Sequence, residues 1–252
     1  MHTAALAEMG LAGEWTYEAI EVAPEDFSDL VRSLPAKGFA GVNVTVPHKL
    51  RALAIADEAS AAAGAIGAAN TLTFRDGRIA ADNTDAEGII GALPCSPEGM
   101  SALVLGAGGS ARAAVWALRE AGASVSIWNR TEARAVALAK EFGVASGAAA
   151  ADIVVNATTV GLDPPRGKHP DGGGEPNLKQ FLAFDDGQRA EVVLDLVYAL
   201  NETALVKAAQ AAGATAVGGL EVLARQGAAS LRVWTGSDPP LGTMRRAAEG
   251  SP

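Results

Sequence analysis

The chain is poor in the residues that build metal sites and covalent staples. Cys95 is the one cysteine in 252 residues, so no intramolecular disulfide is possible and a reducing compartment is expected. The three histidines, His2, His48 and His169, lie far apart without metal-ligand spacing, so no metal is expected. No apolar run approaches the roughly 18 residues of a membrane span. Positive charge is also scarce: 20 Lys and Arg against 29 Asp and Glu give a net charge of −9. Such a surface repels phosphate backbones and argues against nucleic acid, although a local basic pocket still suits a small anion. The opening stretch MHTAALAEMGLAGEW has no basic leader and carries Glu8, which argues against a signal peptide. With 49% hydrophobic and 19% charged residues, what is present describes a soluble, cytoplasmic globular protein with one or two cores.

Periodicity divides the chain in two. The first part reads as a short helix over 2–10, a strand WTYEAIEV (15–22) and a helix opened by Pro24–Asp26. The strand GVNVTV (41–46) follows, then a helix over about 48–57. ANTLTFRDGRIAADNTD contains two short strands around Asp76-Gly77, a hairpin signal. An apolar helix runs from Asp85 towards Leu93, and 94–100 reads as a linker. From Ser101 strands and helices alternate: ALVLGAG, a helix over 110–121, SVSIWN, TEARAVALAKEF, DIVVNAT, EVVLDLVY, a helix over 202–212, and TAVGG. Alternation of this kind builds a parallel sheet covered by helices. LEVLARQGAASLRVWTG is a long amphipathic helix able to return to the first part. The fold class is α/β, with one domain over 1–95 completed by 221–252 and a second domain over 96–220. The Gly/Pro-rich stretch 163–176 reads as a poorly ordered surface loop.

GAGGSA, comprising Gly106, Ala107, Gly108, Gly109, Ser110 and Ala111, follows a strand and opens a helix. It matches the G-x-G-x-x-G/A form, whose glycines permit a tight turn and close approach of backbone to a pyrophosphate. The helix N-terminus adds unpaired N–H groups and the positive end of a dipole. At the end of the next strand, an NAD site places a carboxylate for the ribose 2′-OH. Here stand Asn129, Arg130 and Thr131, with Arg134 one helical turn beyond Arg130. Replacing the carboxylate by guanidinium groups suits a 2′-phosphate, so NADP is the expected cofactor.

In GVNVTVPHK the alternation puts Val42, Val44 and Val46 on one face and Asn43 and Thr45 on the other. Pro47 suits the first turn of a helix, so Lys49 falls where strand gives way to helix. Taken alone, that lysine is either a solvated surface charge or a group placed to handle a proton.

The motifs NVTVPHK, GAANT, DNTDAEG, GAGGSA, WNRTEAR, NATTVG, DLVY and GGLEVLARQ occur in the order found in shikimate dehydrogenases, and the chain resembles that family along almost its whole length. The resemblance implies reduction of 3-dehydroshikimate to shikimate with NADPH, by a substrate domain and a Rossmann domain. It implies a catalytic pair, Lys49 and Asp85. It implies substrate contacts from Asn43, Thr45, Asn70, Asp85, Gln226 and Tyr198. On the cofactor side it implies Gly106 to Ala111, Asn129, Arg130, Thr131, Arg134, Thr158, Leu196 and Gly219. Hydride delivery to a ketone leaves an alkoxide that must be protonated as it forms, which a lysine ammonium can do. The expected partner is a small molecule, and the expected state a monomer or homodimer. A quinate-type dehydrogenase acting on another cyclic hydroxy acid, or a nucleotide binder without catalysis, are the competing readings.

The chain departs from that family at its start. A strand and a serine-containing loop G-x-P-x-x-H-S-x-S-P normally precede the helix that here opens with MHTAAL. Without an interior strand, a sheet that is frayed or completed by another chain is expected, and with it weak turnover. Several tempting residues have plainer readings. His48 reads as structural, Asp82 as a turn cap, Cys95 as a linker residue. Trp15, Trp116, Trp128 and Trp234 read as core or domain-contact residues.

Overall fold

The computed structural model describes residues 1–162, 177–182 and 187–250; the loop expected over 163–176, with His169, lies outside them. The chain divides into two compact units, Met1–Gly88 with Ala224–Pro252, and Ile89–Leu223.

In the first unit, α1 (His2–Glu8) and α2 (Phe27–Ser33) precede strand β1 (Gly41–Asn43), helix α3 (Lys49–Ala54), the two-residue strand β2 (Glu58–Ala59) and α4 (Ala61–Ile66). Strands β3 (Thr71–Arg75) and β4 (Arg78–Asp82) then form the expected hairpin, paired from Thr71↔Asp82 to Arg75↔Arg78. Its turn residues have positive φ, 51° at Asp76 and 72° at Gly77, the left-handed pair that makes Asp-Gly the favoured choice for a two-residue turn. The sheet order is β1-β3-β4-β2, with β1 antiparallel to β3 and β2 parallel to β4. One core gathers Phe27, Val31, Val44, Ala52, Leu72 and Ile79. A second joins Leu6 of α1 to Leu231 and Met244 of the C-terminal helices. Gly41 is where a side chain cannot be admitted: a Cβ would lie 2.4 Å from both Leu72 O and Trp234 Nε1.

The strand expected over 15–22 is not formed. Alternation is a property of side chains, whereas a strand also needs a partner edge about 4.8 Å away. Residues 16–22 make no backbone hydrogen bond among the described residues. Tyr17, Ile20 and Val22 instead share the lining of a groove with Val31, Val42 and Val44. The strand expected over 41–46 is correspondingly only Gly41–Asn43, and the helix expected over 48–57 is Lys49–Ala54.

Helix α5 (Asp85–Ala92) leads into the second unit, where β5 (Ser101–Leu105), α6 (Gly109–Glu120), β6 (Ser124–Trp128), α7 (Glu132–Phe142), β7 (Ala145–Ser146) and β8 (Ile153–Asn156) follow in turn. A short 3-10 turn over Leu178–Phe181, β9 (Val192–Asp195), α8 (Ala204–Ala211) and β10 (Thr215–Val217) complete the unit, before α9 (Gly219–Thr235) and α10 (Leu241–Glu249). The expected parallel sheet is present, in the order β10-β9-β8-β5-β6-β7. The strands read as unbroken apolar runs because both faces are covered; Leu103, Val104, Val154, Val155, Val193 and Leu194 are all fully buried. From β5 the chain goes first to β6 and later returns to β8 on the other side. The point where strand order reverses therefore lies between β5 and β8, the place where open α/β sheets bind ligands. The short strands β2 and β7 and the helices α4 and α10 were not foreseen; β2 and β7 hold two residues each, too few to carry a period.

Candidate active site

Lys49 is the first residue of α3 and Asp85 the first of α5, and the fold buries both, at 5% and 4% exposure. The Lys49 ammonium donates to Asp85 Oδ2 at 2.6 Å. Burying two charges is costly unless they are paired and hydrogen-bonded, and Asp85 has further support. Asn70 Nδ2 donates to Asp85 Oδ1 at 3.0 Å and to Gln226 Oε1 at 3.1 Å. The orientation of that carboxamide is set from its other end. The Thr84 backbone N–H must donate, and it meets Asn70 Oδ1 at 2.8 Å. Nδ2 is therefore turned towards the carboxylate. Asn83 ties the segment after α4 to this loop, its Nδ2 donating to Ala68 O at 2.8 Å.

Four expected substrate residues, Lys49, Asn70, Asp85 and Gln226, thus meet in one buried cluster. Asn43 reaches it through Ser230, to which its Nδ2 donates at 2.8 Å. Thr45 lies just beyond β1 and is exposed. Tyr198 belongs to the other unit, past the end of β9, and is half-exposed. The sequence reading missed Thr71, Thr84 and Ser230, three buried hydroxyls that knit the cluster. For Ser230 a signal existed: it stands four residues after Gln226, on the same helical face. His48 stacks on Phe27 at 4.6 Å, and Asp82 accepts from Ser60 Oγ and the Asn83 N–H, each at 2.8 Å.

In the second unit, parallel register brings the remaining candidates to one edge of the sheet. Leu105 is level with Trp128 and Asn156, and Asn156 with Asp195, so the turns after β5, β6, β8 and β9 all open there. Gly106 turns with φ 118°, and a Cβ would lie 2.8 Å from Ala157 O. A Cβ on Gly108 would meet nothing within 4 Å, so the backbone is open to approach from that side. No side chain caps α6 at Gly108, and this twelve-residue helix presents its N-terminal N–H groups to whatever binds there. Arg130 and Arg134 stand exposed around the start of α7, and Asn129 Nδ2 donates to Thr131 O at 2.9 Å. Asn156 Oδ1 accepts from the Thr158 N–H at 3.0 Å and from its hydroxyl at 2.7 Å, which shapes the turn after β8. Asp195 braces Asn156 at 2.8 Å, and burial raises its carboxyl above the ordinary value against the opposing bonds from Thr203, Val197 and Asn156. Leu196 donates its N–H to Asn156 O at 2.9 Å. Gly219 opens α9 so close to the chain that a Cβ would fall 2.3 Å from Val197 O. The residues present fit a dinucleotide with an extra phosphate: backbone donors for the pyrophosphate and guanidinium groups where a ribose carboxylate would otherwise stand.

A parallel sheet with a nucleotide turn at its switch point, in a chain that also carries a buried lysine–carboxylate pair, defines the class as a dinucleotide-dependent oxidoreductase. Comparison with known proteins narrows this. Residues 1–72 match the family model "Shikimate dehydrogenase substrate binding domain", residues 93–160 "Shikimate / quinate 5-dehydrogenase" and residues 219–249 "Shikimate 5'-dehydrogenase C-terminal domain". The shikimate dehydrogenase (NADP(+)) of Methanothermobacter thermautotrophicus is 39% identical, over 98% of this chain and 89% of that protein. A crystal structure of the Thermus thermophilus shikimate 5-dehydrogenase in complex with NADP(H) and shikimate superposes with a TM-score of 0.83 at 40% identity, covering 98% and 91% of the two chains. A 5-ketofructose reductase from Gluconobacter is more distant, at 29% identity and a TM-score of 0.79, covering 98% and 90%. The chain belongs to the shikimate dehydrogenase family.

Proposed function

We infer that the protein is an NADP-dependent shikimate dehydrogenase, reversibly reducing 3-dehydroshikimate to shikimate in aromatic amino acid biosynthesis. The observation that carries the reading is the buried Lys49–Asp85 pair at 2.6 Å, with Asn70 bridging Asp85 and Gln226. Lys49 holds a proton at Nζ for the ketone oxygen, where negative charge develops, and Asp85 Oδ2 orients that ammonium. In the oxidative direction Lys49 takes the proton back from the shikimate hydroxyl. Asn43, Thr45, Asn70 and Gln226 supply donors and acceptors matched to the hydroxyls and carboxylate of the ring. The substrate is thereby held with its reacting oxygen at Nζ, a positioning that substitutes for costly bimolecular encounter.

Gly106 to Ala111 would hold the pyrophosphate of NADP, and Arg130 and Arg134 its 2′-phosphate, with Asn129, Thr131, Thr158, Leu196 and Gly219 lining the same edge. When bound, NADPH supplies the hydride. Turnover of shikimate with NADP is expected to exceed that of quinate, of a reduced 5-ketofructose substrate, and of shikimate with NAD. A folded protein that binds NADP but leaves shikimate unchanged would defeat the assignment. The protein is read as cytoplasmic, and no described helix is long and apolar enough to cross a membrane.

A further inference from the structure

We propose that Ser230 is a positioning residue: its buried hydroxyl fixes which way the Asn43 carboxamide faces, and through it substrate affinity. This rests on the reading that Asn43 touches substrate.

Ser230 is fully buried on α9 and its Oγ is a four-way junction. It lies 3.0 Å from Gln226 O, 2.8 Å from Asn43 Nδ2, 2.8 Å from Thr71 Oγ1 and 3.0 Å from Thr84 Oγ1. A hydroxyl has one proton and two lone pairs. The Gln226 carbonyl can only accept, and it sits one helical turn back, the usual target of a mid-helix serine. Thr84 gives its own hydroxyl proton to the same carbonyl at 2.9 Å, so with the Ser230 proton committed there too, the two lone pairs of Ser230 Oγ take Asn43 Nδ2 and Thr71 Oγ1. The Asn43 atom facing it must therefore be the NH2 group. That places Asn43 Oδ1 against the Tyr17 hydroxyl at 2.9 Å, and the phenol must donate. Burial pushes the Tyr17 pKa up to about 12, so the phenol keeps the proton this bond requires. The Tyr17 ring is itself held by a parallel stack on His2 at 4.0 Å.

The direction of every bond from the helix carbonyl to the phenol is thus decided at Ser230. One Asn43 N–H and one lone pair are used in the chain. The second N–H meets only longer contacts, 3.5 Å to Asn70 O and 3.4 Å to Thr71 Oγ1, and is the donor that a substrate oxygen can take. If the amide turned over, it would offer an acceptor at that place instead, and an anionic or hydroxyl oxygen would lose its partner. The Lys49–Asp85–Asn70 arm keeps its own bonds, so affinity should suffer and proton transfer should not.

Kinetics on the full chain test this. Ser230→Ala should raise KM for shikimate about tenfold with kcat within about twofold, the scale of one lost hydrogen bond. In an Asn43→Ala background the same substitution should add nothing to KM. Ser230→Thr keeps the hydroxyl and should stay near wild type, whereas Ser230→Val, isosteric with that threonine variant but without its hydroxyl, should behave like Ser230→Ala; this pair also controls for misfolding. An unchanged KM, a fully additive effect in the Asn43→Ala background, or an equal fall in kcat would overturn the proposal. If the wild-type protein does not act on shikimate, the functional reading fails, and proton exchange of the Asn43 side-chain amide decides the positioning role in the ligand-free protein. Slow exchange lost in Ser230→Val and kept in Ser230→Thr supports it; identical exchange in both refutes it.

Discussion

The two units prepare for their ligands in opposite ways. In the first, the proposed site is made of side chains satisfied by one another: Lys49 on Asp85 and Asn70 on Asp85 and Gln226, all buried, and half-buried Asn43 on Ser230. In the second the proposed cofactor turn is backbone that is kept bare. Gly106 and Gly219 each lie where a Cβ would collide with a neighbouring carbonyl, and Gly108 opens onto space. The difference follows from what each site has to recognise. A small polyhydroxy acid has to be read atom by atom, which needs directional groups held rigidly. A pyrophosphate is large, diffuse in charge and accepts from any amide, so a helix N-terminus with no side chain in the way suffices.

The sharpest way to break this contrast is to remove the central side chain of the first unit. Lys49→Ala should lower kcat about a hundredfold or more, the scale of losing a general acid. Because Asp85 would be left buried without its cation, some loss of thermal stability should accompany it. NADP affinity, which belongs to the other unit, should stay near wild type. Retained turnover would show that the proton is handled elsewhere.

The corresponding lesion in the second unit is to add a side chain. Gly106→Ala places a Cβ at a backbone φ of 118° and 2.8 Å from Ala157 O. Overpacking and strain together cost about 1–3 kcal/mol, so NADP affinity should fall by at least about tenfold, with the Lys49 cluster undisturbed. An unaltered Kd from isothermal titration would mean that the turn is not where the pyrophosphate rests.

Arg130→Ala asks whether a side chain matters in that unit at all. It should weaken NADP about tenfold, or about 1.4 kcal/mol, and leave NAD little changed. Equal kcat/KM for the two cofactors in the wild-type protein would remove the reason for the experiment and the inference with it.

The smallest effect is a pH dependence confined to the first unit. Burial, aided by the nearby terminal ammonium and opposed by a bond to the Gly227 backbone, lowers the His2 pKa from 6.5 to about 4. Between those values the unfolded chain binds the proton and the folded one does not, so stability falls as the pH drops through that window. About 1 kcal/mol should be lost between roughly pH 7 and pH 5.5, measured by urea unfolding. His2→Phe should flatten that part of the curve; an unchanged slope would show that another group carries it.

The second unit was legible because its signals are local. Five-residue apolar strands, twelve- and eleven-residue helices and a glycine turn each speak within a single window, and parallel pairing then places their ends together. The Asp76-Gly77 hairpin was legible for the same reason. The strand expected at 15–22 was not decided locally: its alternation is real, but among the described residues no backbone pairs with 16–22. In the candidate active-site cluster, the amino-acid sequence by itself determined the residue types and, through family resemblance, the pairing of Lys49 with Asp85. Only the tertiary structure decided that Ser230, 187 residues from Asn43, is the hydroxyl that meets it, and that Thr71 and Thr84 complete the junction. Such contacts carry no periodicity. They are chosen by the directional demand that every buried donor find an acceptor, a condition met across elements distant in the chain.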